Sequence, residues 1–238
     1  MKRSENDSII EEAIAAAKQH GVALPKWAGW NPSQFVASAA GVFEQGLGWK
    51  VIDFGLGKFH QTGLVLLVVC NALFDEAGEP LTKTQRVSNR EYPASSFSRK
   101  FLFVRPGQTE PHHFHRQKER KEVSVLAGGP VEFELAWGES DTALSKRDVH
   151  VQIDGIWKEI KADGFVSLSA GESITLPGNL SHIIRVPANA SHTILLETST
   201  ANNDRKDNIF PFMTPSSTPL EEDAKPRYQL IGEHPVKV

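Results

Sequence analysis

Hydrophobic and polar positions change their pattern near Leu47, where short runs rich in Val, Ile, Leu and Phe begin to alternate with Gly, Pro, Asn and Asp. Runs of this length and composition predict β-strands. Ten strands at regular spacing indicate an antiparallel sandwich or barrel. The runs are WKVIDFGLG, TGLVLLVVCNALF, RKFLFVRPG, KEVSVLAGG, VEFELAWG, VHVQIDG, DGFVSLSAG, ESITLPGN, SHIIRVP and SHTILLETST.

The segment before these runs has a helical pattern instead. Ser8 and Glu11 stand at capping-box spacing, apolar residues follow at helical intervals, and Gly21 is placed to end a helix of about three turns. Asn31 and Pro32 then supply an N-cap and a first-turn proline for a second helix through SQFVASAAGVFEQG. The sequence therefore predicts two helices that pack on the strands.

The chain divides into three segments that we expect to form one domain. Residues 1–46 are a helical segment packed on the barrel, residues 47–200 form the barrel, and residues 201–238 wrap around it. The last segment is polar and rich in proline, yet it contains Phe210, Phe212 and Tyr228. Large apolar side chains in such a segment favour packing against the domain over a free tail.

Composition narrows the choice of partners. With 238 residues and 39% hydrophobic residues, the chain can bury a substantial core. A net charge of -3 gives no basic excess for nucleic acid or an anionic membrane, so we expect a small-molecule partner. Cys70 has no second cysteine to pair with, and the N-terminus has no apolar signal-peptide core. These features predict a cytoplasmic protein without a membrane span.

Three histidines are the strongest candidates for chemistry. His113 and His115 are two positions apart in a strand-like run, so both imidazoles point to the same side of the sheet. His182 begins another apolar strand, and two neighbouring strands would bring the three rings together. With one carboxylate they would form a site suited to Mn, Fe, Ni or Zn. The other histidines are interpreted as surface or hydrogen-bonded residues: His20, His60, His112, His150, His192 and His234.

The spacing around these histidines resembles the two cupin motifs. Segment 107–115 has a glycine, five residues and then His-Phe-His, and segment 171–182 has a glycine, five residues, a proline and a histidine five positions on. The resemblance implies a mainly β fold, the cupin double-stranded β-helix or jelly-roll barrel, with N-terminal helices added. In that fold the ligands line the mouth of the barrel.

A narrower resemblance covers residues 1 to about 212. The segments MKRSENDSIIEEA, LPKWA, LGWKVIDFG, YPASSFSRKFLFVR, PHHFHRQK, GESITLPGNLSH and ETSTANNDRKDNIF occur in this order. They are similar to segments of the cupin-type D-lyxose isomerases. This implies interconversion of D-lyxose and D-xylulose, often also of D-mannose and D-fructose, with a divalent metal that is typically Mn²⁺; Zn²⁺, Co²⁺, Fe²⁺ or Ni²⁺ are alternatives. The metal ligands implied are His113, His115 and His182.

The sequence identifies the carboxylate ligand less directly than the three histidines. The family places its glutamate five positions after the second histidine, where this chain has Arg120, which cannot bind a cation. Glu119 and Glu122 flank it. Glu122 lies seven residues before Gly129, as the cupin motif expects, so we predict Glu122 as the fourth ligand. Glu119, or a site without a protein carboxylate, are the alternatives.

Catalytic groups are also expected near the metal. Lys100 and Lys118 match lysines of the family motifs, and either could hydrogen-bond sugar hydroxyls or stabilise an enediolate. Glu197 ends an apolar strand, where a charge is costly unless it is paired or used, so it is the candidate base. Asp207 and Asn208 could line the rim.

The sequence thus predicts a metal-dependent aldose–ketose isomerase that acts on a free monosaccharide through an enediol and assembles as a homodimer. Two alternatives use the same ligands. One is a cupin dioxygenase, which would favour a purely aromatic and aliphatic pocket, and the other is a sugar-binding cupin without turnover.

Overall fold

The computed structural model describes residues 1–38, 42, 45–74, 84–87, 90–93, 96–116, 120–201, 203 and 207–233. Helices lie at the N-terminal end. They are α1 (Arg3–Gln19), a short 3₁₀ helix (Lys26–Gly29) and α2 (Pro32–Ser38). Strands make up most of the rest of the described chain, so the mainly β class with N-terminal helices is confirmed.

The strands occur in chain order as β1 (Gly48–Ile52), β2 (Leu64–Cys70), β3 (Thr84–Val87), β4 (Arg90–Pro93), β5 (Phe97–Val104), β6 (Thr109–His115), β7 (Arg120–Gly129), β8 (Val131–Ser140), β9 (Ala143–Leu144), β10 (Val149–Ile153), β11 (Ile156–Ile160), β12 (Phe165–Leu168), β13 (Ser173–Pro177), β14 (Leu180–Arg185), β15 (Ser191–Thr200) and β16 (Asn208–Ile209). Each of the ten apolar runs overlaps one of these strands, which confirms the predicted strands.

The strands form two large antiparallel sheets. The eight-stranded sheet has the order β1-β2-β5-β15-β7-β13-β10-β11, and the six-stranded sheet has the order β12-β8-β14-β6-β16, with β9 paired to β8. β3 and β4 form a separate hairpin. This is the two-sheet barrel that the cupin motifs imply. The last strand, β16, comes from the C-terminal segment and pairs with β6, the strand that carries the paired histidines.

Two apolar layers lie on the two faces of the eight-stranded sheet. Its inner face packs against the six-stranded sheet through residues such as Val123, Leu195 and Phe133, which form the interior of the barrel. Its outer face is covered by α1, where Ile10 packs with Trp49 and other residues of the sheet. The central strands β5, β15 and β7 therefore carry apolar side chains on both faces over part of their length.

The start of α1 differs from the prediction. The helix begins at Arg3, and Ser8 is inside it instead of capping it. Lys2 stands at the N-cap without a side-chain bond, while the backbone N–H of Arg3 donates to the carbonyl of Glu221 at 2.8 Å. The Ser4 hydroxyl and N–H bond to Asp223 as well. A tertiary contact therefore satisfies the helix end that the local capping signal was expected to satisfy.

α2 begins where the sequence predicts. Asn31 Oδ1 accepts from the backbone N–H of Gln34 at 3.1 Å, and Gln34 Oε1 accepts from the backbone N–H of Asn31 at 2.9 Å. This reciprocal pair is a capping box. The helix is described as far as Ser38, and the predicted continuation through residues 39–41 and 43–44 lies outside the described residues.

In the part of the chain that the structure describes, none of the helices has the length and apolar character needed to cross a membrane.

Candidate active site

The three predicted histidines meet inside the barrel. His113 on β6 pairs directly with His182 on the neighbouring strand β14. His115 lies two residues further along β6, on the same face as His113, and the two ring centroids are 5.2 Å apart. One ligand atom from each of the three residues lies within 4.8 Å of the others, and all three residues are buried. Period-2 alternation and strand pairing together create this cluster.

Backbone contacts orient two of these rings. Nδ1 of His113 is 3.1 Å from the carbonyl of Pro111, and Nδ1 of His182 is 3.1 Å from the carbonyl of Leu180. A carbonyl oxygen only accepts, so Nδ1 carries the hydrogen and Nε2 carries the lone pair in a neutral ring. A backbone partner on one ring nitrogen is the arrangement that fixes the tautomer of metal-binding histidines.

The surroundings of His182 favour the neutral form of its ring. Burial, together with the nearby Lys121 and His113, holds the pKa of His182 well below its usual value of 6.5. The ring is therefore neutral near pH 7 and offers a lone pair. Three imidazoles that converge in this way fit a divalent transition metal such as Mn²⁺, Zn²⁺ or Co²⁺.

The opposite wall of the barrel carries charged groups. Lys100 on β5, Lys121 on β7 and Glu197 on β15 are buried side chains of the eight-stranded sheet and line the same cavity as His113 and His115. The Lys121 ammonium is 3.1 Å from Glu197 Oε2, and the Lys100 ammonium is 4.0 Å from Glu197 Oε1. The structure thus places the predicted residues Lys100 and Glu197 opposite the histidines.

Glu122, the predicted fourth ligand, does not join the histidines. Its carboxylate accepts from the Thr175 hydroxyl at 3.0 Å and from Arg120 at 3.3 Å, and its side chain is 38% exposed. Successive residues of a strand face opposite sides, and Lys121 takes the inward position of β7. The Lys121 ammonium lies 2.9 Å from Nε2 of His182. Lys118 and Glu119 lie outside the described residues.

Other carboxylates do approach the cluster. Glu110 Oε1 lies 3.7 Å from Nε2 of His113, and Asp207 Oδ2 lies 3.4 Å from Nδ1 of His115. Asp207 is fully buried, and its neighbour Asn208 lines the cavity. Both belong to the C-terminal segment, so this segment contributes to the site as well as closing the barrel.

The cavity has a volume of about 640 Å³, which is in the range of small-molecule sites and ample for a monosaccharide. Phe210 forms part of its wall and stacks on His113, with ring centroids 5.5 Å apart. Lys50, Ser216 and Ser217 add polar groups to the lining. An apolar wall with a few charged groups is typical of a binding site for a polar ligand.

The adjacent His112 is not part of the cluster. It faces the outer side of the six-stranded sheet, where its Nδ1 lies 3.1 Å from the Ser181 hydroxyl and its Nε2 lies 3.5 Å from Glu134. Burial lowers the pKa of His112 in spite of the nearby Glu134. The interpretation of His112 as a hydrogen-bonded residue agrees with this position.

Sequence reasoning missed Lys121, Glu110 and Phe210. A signal for Lys121 was present, because Lys121, Val123 and Val125 alternate with Glu122 and Ser124. The two valines belong to the interior of the barrel, so Lys121 shares their face. Glu110 carries no such signal, because strict alternation would place it on the face of His112, and the pairing of β6 with β14 shifts register between His113 and Glu110. Phe210 has no local signal of its role, because its contact with His113 is made across the fold.

Comparison with known families agrees with the site. The family model described as D-lyxose isomerase matches residues 1–234. The chain belongs to the D-lyxose isomerase family. It is 31% identical over 238 residues to a D-lyxose/D-mannose isomerase of Escherichia coli O157:H7 and 27% identical to one of Serratia proteamaculans, with 98% of both chains covered in each case. Family membership identifies the protein as an aldose–ketose isomerase, an intramolecular oxidoreductase.

Solved structures share the fold. An L-ribose isomerase of Acinetobacter sp. DL28, in complex with L-ribose, superposes with a TM-score of 0.56 at 15% identity and covers 93% of this chain and 98% of its own. An L-ribose isomerase of Geodermatophilus obscurus gives a TM-score of 0.52 at 19% identity, with 88% and 92% covered. At these identities the likeness supports the cupin-type barrel and no statement about substrate.

Proposed function

We propose that this protein is a divalent-metal-dependent isomerase that interconverts D-lyxose and D-xylulose, and D-mannose and D-fructose. The observation that carries the proposal is a cluster of three buried histidines, two of which line one cavity with Lys100, Lys121 and Glu197. The sugars follow from the D-lyxose/D-mannose isomerase that is 31% identical over nearly the whole chain.

His113, His115 and His182 would hold the ion, with Mn²⁺ first among the candidates and Zn²⁺, Co²⁺, Fe²⁺ or Ni²⁺ as alternatives. A divalent ion in this position supplies a Lewis acid that polarises the oxygens on C1 and C2 of the open-chain sugar. The two lysines face the histidines and can donate hydrogen bonds to the same oxygens, which offsets the charge of an enediolate.

Glu197 is the base in this proposal. Its carboxylate, fixed by Lys121 and Lys100, removes the proton from C2 of the aldose and returns it to C1. The C2–H bond breaks and a C1–H bond forms, while a hydroxyl proton passes from O2 to O1. The carbonyl moves from C1 to C2 without an external oxidant or reductant, so the step balances within the sugar.

The lining of the cavity separates this proposal from its alternatives. A cupin dioxygenase would favour an aromatic and aliphatic pocket around its iron. Here two lysines and the carboxylates of Glu110 and Glu197 line the cavity, and charged donors and bases of this kind suit proton transfer. A sugar-binding cupin without turnover would share the lining, so only an assay distinguishes it.

The proposal includes a cytoplasmic location and a homodimer. The location is supported by the single cysteine, Cys70, which leaves the chain without an internal disulfide. The dimer is supported by the frequency of this assembly among cupins, and light scattering of the purified protein measures it.

The test is a panel of aldoses incubated with the Mn²⁺-loaded protein in D₂O, with the ketose measured by NMR. We expect ketose from D-lyxose and D-mannose, with some deuterium at C1, because a proton held on a carboxylate exchanges with solvent. Ketose without any deuterium would indicate a hydride shift or a shielded transfer. Absence of ketose from every pentose and hexose, with the protein folded and metal bound, would overturn the isomerase proposal.

A further inference from the structure

The inward position of β7 holds a cation at the point where the sequence motif leads one to expect a carboxylate. Lys121 is 3% exposed, and its ammonium contacts both His182 Nε2, at 2.9 Å, and Glu197 Oε2, at 3.1 Å. Glu122 faces away from the cavity because it is the next residue of the same strand. Among the described residues of β7, therefore, no carboxylate faces the histidines.

A carboxylate reaches the cluster from β6 instead. Glu110 precedes His113 in this strand, its side chain is 12% exposed, and its Oε1 lies 3.7 Å from His113 Nε2. The carboxylate offers lone pairs, and Nε2 of His113 carries a lone pair because Nδ1 contacts the Pro111 carbonyl. Such atoms approach each other favourably when a proton or a cation lies between them.

The distance is compatible with a shared ion. Ligand atoms that are each about 2.1 Å from one ion are at most about 4.2 Å apart, and the 3.7 Å between Glu110 Oε1 and His113 Nε2 satisfies this limit. Glu110 is not among the residues whose ligand atoms all lie within 4.8 Å of one another, so its side chain would have to turn toward His115 and His182 to share an ion with them.

We propose that Glu110 is the carboxylate ligand of this metal centre, and that Lys121 replaces a β7 ligand as a cation paired with Glu197. The proposal rests on the proposed function, since it names the ligands of that same site. The charges support it. An ion held by three neutral imidazoles beside Lys100 and Lys121 brings an excess of positive charge that Glu197 alone does not balance, and Glu110 adds negative charge next to His113 as Asp207 does next to His115.

A second consequence concerns metal affinity. The Lys121 ammonium is hydrogen-bonded to the His182 nitrogen that an ion requires, and it has to turn toward Glu197 when the ion enters. Repulsion between the ammonium and the ion weakens binding. Lys121→Met should therefore bind Co²⁺ more tightly, by at least about tenfold, because it removes the competing cation.

The test measures Co²⁺ binding to the metal-free full chain by calorimetry and by the visible absorption of the bound ion. We expect Glu110→Gln to weaken binding by at least about tenfold and to change the absorption, because a ligand is lost. Glu122→Gln is the matched control on β7 and should bind like the wild type. Glu119→Gln tests the remaining candidate from the sequence and should also leave affinity unchanged.

Several results would overturn the assignment. Wild-type affinity in Glu110→Gln, or loss in Glu119→Gln alone, would exclude Glu110 as the ligand, and absence of Co²⁺ binding by the wild type would exclude the centre itself. Thermal unfolding of the metal-free variants checks the fold. If Glu110→Gln does not fold, Glu110→Asp should retain more affinity than Glu110→Ala. Equal affinity in these two would also exclude the carboxylate. Ketose formation is measured separately, so failure of the Glu110 assignment in a wild type that binds Co²⁺ leaves the proposed function standing.

Discussion

The ammonium of Lys121 and the carboxylate of Glu197 form an ion pair, 3.1 Å apart, inside the barrel. The two residues are only 3% and 4% exposed. Removal of one partner from a buried pair leaves an uncompensated charge and is strongly destabilising, so the pair holds both side chains in place. Its position opposite the three histidines presents the carboxylate to whatever the histidines bind.

Glu197→Gln should lower kcat by about 10²–10⁴-fold, the usual contribution of a general base. The amide keeps the size of the side chain but cannot take up the proton. Metal content should stay at the wild-type level, since Glu197 is not among the three histidine ligands. Steady-state kinetics with D-lyxose and elemental analysis measure the two effects.

Glu132→Gln is the control for this variant. Glu132 pairs with Arg185 on the outer face of the six-stranded sheet, away from the cavity. The kcat of Glu132→Gln should equal that of the wild type. A Glu197→Gln enzyme with kcat within about twofold of the wild type would show that another group moves the proton.

Removal of the metal should abolish isomerisation. Three buried imidazoles at the cavity provide the donors for one divalent ion per chain, and polarisation of the sugar oxygens depends on that ion. We expect dialysis against a chelator to remove ketose formation and Mn²⁺ or Co²⁺ to restore it. Full turnover by a preparation that elemental analysis shows to be metal-free would contradict the metal-dependent mechanism.

His192 should make the fold less stable in acid. Burial, with Arg105 and His20 nearby, lowers the pKa of His192 from 6.5 to about 4. Between these values the unfolded chain binds a proton at this position and the folded chain does not, so the free energy of unfolding falls as the pH is lowered from 6.5 to 4. His192→Gln should lose less stability over this window than the wild type.

Urea unfolding at several pH values measures this effect. His150 is 62% exposed on β10, and His150→Gln serves as the control that should keep the wild-type dependence. Parallel pH profiles for the wild type and His192→Gln would exclude His192 as a source of acid sensitivity.

Arg3 should be important for stability because it joins the two ends of the chain. This guanidinium is 2% exposed and bonds to Glu222 at 2.6 Å and also to Glu233. Arg3→Met should lower the free energy of unfolding by about 3 kcal/mol, since both carboxylates lose a buried partner. Glu222→Gln should cost less because Glu222 is 56% exposed. Equal losses in the two variants, measured by urea unfolding, would contradict this ranking.

Local sequence patterns were sufficient to predict most of the fold. Strand alternation depends on the chain alone, and so the ten apolar runs and the shared face of His113 and His115 could be predicted. The capping box at Asn31 is similarly local. The start of α1 could not be predicted, because Glu221 and Asp223, more than 200 residues away in the sequence, complete that helix end.

The carboxylate that faces the histidines could not be predicted from the sequence. Counting back from Gly129 selected Glu122, but β7 pairs Val125 with Leu195 and Ala127 with Ile194, so Leu126 is an extra residue in the pairing. Such a bulge reverses which side chains face the interior, and Lys121 enters the cavity instead. The sequence by itself determined the strands and the three histidines, because these depend on alternation and spacing along the chain. Only the tertiary structure decided which further carboxylates approach those histidines, because a register shift in β6 and the pairing of β6 with the distant strand β16 bring Glu110 and Asp207 there.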